Sequence, residues 1–216
     1  GDRYFDHEAL LYYEDHTLEP LYRGTFEIDP DEAKRARFRK SEFGWIAVYE
    51  EPVTGHRYAA GVDVATGRGK DFSVGYVQDL DTGAIVAEIH CKMDAVAFAA
   101  QIHFLGLWFN TALLAIELGG GYGDAVIHPL RDGVQGRPPY PRLYRHRDQT
   151  NVKRPGSDRL GFPITLRTRP QLIAQLETWL RNREFDSLPQ SLLDECNTFV
   201  HRDTGTSPAA QDGCFD

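Results

Sequence analysis

The sequence predicts an α/β fold in which a mixed β-sheet is flanked by helices. Three observations lead there. β-rich runs at 58–65, 72–80 and 84–90 are joined by a glycine-rich turn and by Asp81-Thr82-Gly83, a good hairpin sequence, so the first three strands read as an antiparallel meander. Residues 95–109 then switch to helical periodicity, with Phe98, Ile102, Leu105 and Phe109 on one face. Pro170 to Arg183 carries the clearest helix signal, a proline in the first turn and an apolar stripe of Leu172, Ile173, Leu176, Trp179 and Leu180.

In chain order, residues 1–44 read as an N-terminal arm or linker. It holds a short helix from Glu8 to Tyr13, a strand from Tyr22 to Ile28, and a basic stretch, AKRARFRK, ending at Lys40 that reads as a solvated helix face. The compact domain is expected over 45–216. Its first strand, Tyr58 to Ala65, places Asp63 within an apolar run, where a lone carboxylate is costly unless its charge is compensated, and a cation would do so. The aromatics of 95–109 are core residues. Ala112 to Ile116 is a further strand, followed by Glu117, Leu118 and three glycines. Tyr122 to Arg131 follows as a helix, Arg142 to His146 as a strand, and Pro163 to Leu166 as a short strand after a polar loop. Leu193 to Val200 is open to either reading.

Composition narrows the class. With 216 residues, 41% of them hydrophobic and 12% aromatic, the chain can bury a sizeable core. Cys91, Cys196 and Cys214 are odd in number and form no CxxC pair, which points away from a disulfide framework or a zinc site and toward a reduced compartment. No uncharged apolar run of about 18 residues and no signal pattern occur, so neither membrane insertion nor secretion is expected. The net charge of −8 argues against nucleic acid until its distribution is considered. Residues 131–169 hold ten Arg or Lys against three Asp, an excess that fits a phosphate backbone or equally a solvated arginine-rich hairpin. Arg145, Arg147, Lys153 and Arg154 are the best candidates for backbone contacts, because 147–161 is a polar segment bounded by Pro and Gly that would project as a hairpin or loop.

An acid at a strand end with glycine a few residues after it occurs twice, at Asp63 and Glu117, and the sequence ends in DGCFD. The segments YAAGVDVATGRGKDFSVGYVQD, AIELGGGYGDAVIHPL, LGFPITLRTRPQLIAQLETWL with LLDECNTFV, and AQDGCFD resemble the nuclease domain of tailed-bacteriophage terminase large subunits over about 48–216. The resemblance implies a ribonuclease-H-like fold and an endodeoxyribonuclease that cuts concatemeric viral DNA during packaging, in the host cytoplasm. An ATPase half would precede it, and no GxxxxGK[ST] element is present here. The small terminase subunit and the portal or procapsid would be partners of the full-length protein. The family's C-terminal acid falls on Asp216 or, as the alternative, Asp212.

The physical case for these acids is independent. Two divalent ions about 4 Å apart, bridged by a carboxylate, activate water and stabilise the leaving oxygen in phosphodiester cleavage. Mg²⁺ or Mn²⁺ takes hard oxygen ligands and needs no His or Cys cluster. In this reading Asp63 bridges both ions, Glu117 binds one and Asp216 the other. Alone, each has an ordinary role: Asp63 caps a turn, Glu117 is a strand-end surface acid, and Asp216 is an N-cap or tail residue. Asp71 is a further possible metal residue, though a turn-capping role suits it better. Thr66 and Gly67 would let backbone approach metal or phosphate. His128, His146 and His201 read as structural. Other functions compatible with the pattern are a RuvC-like junction resolvase, an actin-like or sugar-kinase-like phosphotransferase fragment, and a non-enzymatic module docking DNA or portal. Junction preference, nucleotide binding and absence of metal-dependent cutting would mark them respectively.

Overall fold

The computed structural model describes residues 2–29, 31–32, 34–65, 71–119, 121–134, 136–147, 159–201 and 208–210. The chain divides into two compact units, one of 1–19, 83–85 and 164–216, the other of 20–82 with 86–163.

In the first unit, α1 (His7–Glu14) starts at Asp6, whose carboxylate accepts from the Ala9 N–H at 2.8 Å. It buries Ala9, Leu10 and Tyr13, and the Tyr13 hydroxyl donates to the Phe185 carbonyl at 3.0 Å. β1 (Thr17–Leu18) pairs in parallel with β11 (Leu188–Pro189). α4 (Thr168–Arg181) begins two residues before Pro170, and of its expected stripe only Leu180 is fully buried, while Leu172 and Trp179 remain exposed. The ambiguous stretch near 193 resolves as α5 (Gln190–Thr198), which buries Leu193 and Cys196, and then β12 (Phe199–Val200), which pairs with β13 (Ala209–Ala210).

The second unit holds a seven-stranded sheet. Its strands are β2 (Tyr22–Ile28), β3 (Ala36–Lys40), β4 (Ile46–Val48), β5 (Tyr58–Asp63), β6 (Ser73–Asp79), β7 (Ile85–Cys91) and β8 (Leu113–Ile116). They lie in the order β3-β2-β4-β7-β6-β5-β8. β5 and β6 are antiparallel, as the meander requires, and β8 returns parallel to β5. A parallel return needs a crossover, and α2 (Ala95–Trp108) is part of it. Asp94 caps α2 by accepting from the Val96 and Ala97 N–H groups, both at 3.0 Å. Phe98, Ile102, Leu105 and Phe109 are all completely buried against the sheet side, each burial stabilising by about 1.5–3 kcal/mol. α3 (Tyr122–Asp132) packs on α2.

Three expectations change. Residues 22–40, read as part of an arm, supply β2 and β3 to the main sheet: the basic stretch is a strand, not a helix, pairing Ala36 through Lys40 against Ile28 through Gly24. The cause lies beyond local propensity. Phe38 stacks edge-on to Phe26 at 5.2 Å, and Arg39 and Arg37 share Glu27 across the ladder. Where β4 pairs only with residues 22–24 of β2, Gln101 of α2 takes over: its amide accepts from the Phe26 N–H at 2.9 Å and donates to the Phe26 carbonyl at 2.8 Å. The short strand expected at 163–166 lies earlier, as β10 (Arg159–Leu160) with bridges at Gly161 and Phe162, because Pro163 has no N–H to offer. β9 (Arg145–His146) pairs antiparallel with β10, and Leu143 bridges Leu114.

Candidate metal and nucleic-acid site

Asp63 is the last residue of β5, and it is exposed. The desolvation argument for a compensating cation is therefore corrected: alternate β5 residues Tyr58, Ala60 and Val62 are buried, while Gly61 and Asp63 point to the open side. Beyond the strand, the buried Ser73 hydroxyl accepts from the Ala65 N–H at 3.0 Å and fixes the chain as it leaves. Thr66 and Gly67 lie outside the described residues.

Glu117 stands beside Asp63. The register pairs Val62 with Ile116, and the Glu117 N–H donates to the Val62 carbonyl at 2.8 Å, so the two acids occupy equivalent places at the C-terminal ends of neighbouring parallel strands. On its other side Glu117 bridges Phe162: the Phe162 N–H donates to Ile116 at 2.7 Å and the Leu118 N–H to Phe162 at 2.8 Å.

Gly119 makes room for that acid, and two further glycines shape the chain around it. A Cβ on Gly119 would lie 2.5 Å from Glu117 Oε1. Gly161, at φ +88°, would put one 2.8 Å from the Ile116 carbonyl and 2.7 Å from Ile127. Gly121, at φ +86°, turns the chain into α3. Two hard oxygen donors side by side, with a cradle cleared for one of them, fit a divalent cation of the magnesium type.

Of the other expected residues, Asp71 is exposed and sits just ahead of β6, at the same end of the sheet as Asp63, which pairs with Val74. Asp212, Asp216, Lys153 and Arg154 lie outside the described residues. Arg145 and Arg147 are exposed and flank His146. The His146 ring meets Phe162 at 5.8 Å and 75°, and its Nδ1 is buried without a hydrogen-bond partner. His128 lies against Arg131, and the His201 ring meets Tyr4 at 5.0 Å, tilted by 54°.

A second acidic group escaped the sequence reading. His56, Asp79 and Asp81 converge closely enough to hold a metal ion, at the opposite end of β5 and β6, where Tyr58 pairs with Asp79. Their oxygens are already engaged. Asp79 Oδ2 meets His56 Nδ1 at 2.6 Å, and Asp79 Oδ1 accepts from the Asp81 and Thr82 N–H groups at 2.8 and 3.4 Å. Asp81 takes the Arg57 N–H at 2.7 Å and its guanidinium at 2.9 Å. The hydrogen bond to Asp79 raises the His56 pKa, which favours imidazolium over a metal-ligating neutral ring. Burial pushes the Asp79 pKa up, but the His56 and backbone hydrogen bonds outweigh it and hold the carboxyl below its ordinary value. This group is a lock on the β6–β7 turn. The sequence signal was available, since an Asp at the first position of a turn caps the next N–H groups.

The sequence matches no protein-family model and no curated protein. Solved structures do share its fold. The large terminase nuclease of thermophilic phage G20c, crystallised with bound magnesium, superposes with a TM-score of 0.59 at 21% identity, covering 91% of this chain and 86% of that one. A second crystal structure of that nuclease gives 0.55 at 20% identity, covering 88% and 83%. The large terminase nuclease domain of Thermus phage P74-26 gives 0.55 at 21%, covering 81% and 79%. A ribonuclease-H-like α/β fold, of the form found in phage large terminase nucleases, is therefore the fold of this chain.

Proposed function

We propose that this chain is a metal-dependent endodeoxyribonuclease that cuts double-stranded concatemeric viral DNA during genome packaging. The observation that carries the reading is the placement of Asp63 and Glu117 side by side at the C-terminal ends of β5 and β8. The G20c nuclease has been crystallised with magnesium, cobalt and zinc, which supports divalent cations here. Two Mg²⁺ or Mn²⁺ ions, when bound, would supply an activated water and offset charge on the leaving oxygen.

The residues of the chain have separable tasks. Asp63 and Glu117 would each offer a carboxylate to the metal, with Asp216, or alternatively Asp212, as the third acid and Asp71 as a further metal residue. The backbone bond from Glu117 to Val62 fixes the spacing of the first two, and Gly119 leaves the Glu117 carboxylate its position. Arg145, Arg147, Lys153 and Arg154 would hold the duplex by its backbone without reading sequence. A preceding ATPase half, the small terminase subunit, the portal and the host cytoplasm as the place of work belong to the same reading.

The test is incubation of plasmid DNA with Mg²⁺, Mn²⁺, Ca²⁺ or EDTA. Mg²⁺ and Mn²⁺ should support cutting of relaxed specificity. Ca²⁺, with longer bonds and looser geometry, should not, and neither should EDTA. Robust cutting in EDTA removes the mechanism.

A further inference from the structure

The sheet face that carries Asp63 and Glu117 extends, at the same end, over β6 and β7. Asp63 pairs with Val74, so its side chain and that of Val74 share a face. Phe72, two residues before Val74, lies on that face too, and its ring meets His90 of β7 edge to face at 4.3 Å and 70°. Lys92, two residues beyond His90, sets its ammonium 4.4 Å from the centre of the Phe72 ring. The His90 N–H is tied to the Trp45 carbonyl at 2.9 Å, which fixes the strand beneath this group.

Lys92 differs from the arginines that are held in ion pairs. Arg35, Arg39, Arg57, Arg131, Arg159 and Arg181 are each joined to a carboxylate. Lys92 is exposed and, among the described residues, has no carboxylate within ion-pair distance. Its flexible stem is instead held over an aromatic ring, worth about 0.5–1 kcal/mol at an exposed position. The result is a cation outside any ion pair, biased toward the ring, on the same face as the two acids. β5 and β7 are separated only by β6, a span of roughly 10 Å at about 4.8 Å per strand. Each strand of a duplex carries a phosphate every ~3.4 Å along its axis, so a strand with one phosphate at Asp63 presents others over that span.

We propose that Lys92, seated on Phe72 beside His90, contacts a backbone phosphate of the DNA strand next to the one held at Asp63 and Glu117. This contact rests on the nuclease reading for its orientation. It lies across β6 from the acids, on the side away from β9 and the arginines at 145 and 147, so the duplex would be held on both flanks of the cleavage point.

The test uses a fluorescently labelled duplex in EDTA, where cutting does not interfere, with affinity measured over a series of salt concentrations. Lys92→Ala should weaken binding about fivefold and lower the salt slope by about 0.9, the counterion equivalent of one phosphate contact. Lys92→Arg should restore most of the affinity, and Phe72→Leu, which keeps the charge but removes its seat, should lose less than Lys92→Ala. The His90 ring resonances should move when the duplex is added to the wild-type chain. Unchanged affinity and salt slope in Lys92→Ala overturn the contact. If Mg²⁺ and Mn²⁺ support no cutting while the Lys92-dependent affinity persists, the contact stands and the nuclease reading falls.

Discussion

The two ends of β5 both carry acidic residues, and they are built in opposite ways. At its start, Asp79 and Asp81 are tied to His56, Arg57 and successive backbone N–H groups, so each carboxylate oxygen has a protein donor. At its finish, Asp63 and Glu117 are set next to each other by two parallel strands, with glycine rather than a bulky side chain at the position facing the Glu117 carboxylate. Like charges side by side destabilise an empty site, whereas paired acids stabilise a turn. Convergence of acids therefore does not identify a metal site. At the first end, protein donors already take the oxygens of Asp79 and Asp81.

The largest expected effect separates the two ends directly. Asp63→Asn should reduce metal-dependent cutting by orders of magnitude, while a thermal melt without metal shows equal or greater stability, because one of two neighbouring charges is gone. Retained cutting with a normal metal response would show that Asp63 is only a strand-end residue.

Next in size is Gly119→Ala. The added methyl would press on Glu117 Oε1 and move the carboxylate. A displacement of about 1 Å in a catalytic group can cost roughly a hundredfold, so plasmid cutting should fall by about that factor while circular dichroism is unchanged. Cutting at the wild-type rate would show that Glu117 needs no fixed position.

The quadruple variant Arg145→Ala, Arg147→Ala, Lys153→Ala, Arg154→Ala should weaken duplex binding for all sequences alike and flatten its salt dependence. Part of the cutting should return at low salt and high protein concentration. An unaltered salt slope would make the basic excess of 131–169 a solvated or protein-docking face.

The smallest effect on activity, and a clear one on stability, is expected at the other end. Asp79→Ala leaves the Asp81 and Thr82 N–H groups and His56 without their acceptor and should cost about 1–3 kcal/mol in chemical denaturation, with cutting unaffected below the melting temperature. Its pH dependence has a definite sign. The folded Asp79 pKa is lowered, so that contribution is present above the unfolded value of about 3.8 and fades as pH falls through the folded one. The folded His56 pKa is raised, so its contribution is full below about 6.5 and fades as pH rises through the folded value. The lock is therefore strongest between these limits, and the stability difference between wild type and Asp79→Ala should peak there. A difference that is flat from acid to alkaline pH would deny the His56–Asp79 pair any role.

Local pattern was sufficient for much of the fold. The strand from Tyr22 to Ile28 falls where it was expected, and α2 buries Phe98, Ile102, Leu105 and Phe109 as their spacing requires. The turn at Asp81-Thr82-Gly83 joins β6 and β7, since turn chemistry is a property of adjacent residues. Pattern failed for β3. A run of Arg and Lys reads as a solvated helix until Phe26 and Glu27 are known to lie beside it, and that adjacency belongs to the sheet.

For the site, the sequence by itself determined which acids end apolar runs and precede glycines, because strand length and turn composition are local. Only the tertiary structure decided that Val62 and Ile116 are in register, which makes Asp63 and Glu117 neighbours although 53 residues separate them. It also decided that Asp63 is exposed, that Asp79 and Asp81 are engaged elsewhere, and that Lys92 sits over Phe72 on the face of the acids. The physical reason is common to all of these. Charge, desolvation and hydrogen bonding depend on distances across strands, and those distances exist only once the sheet has chosen its order and register.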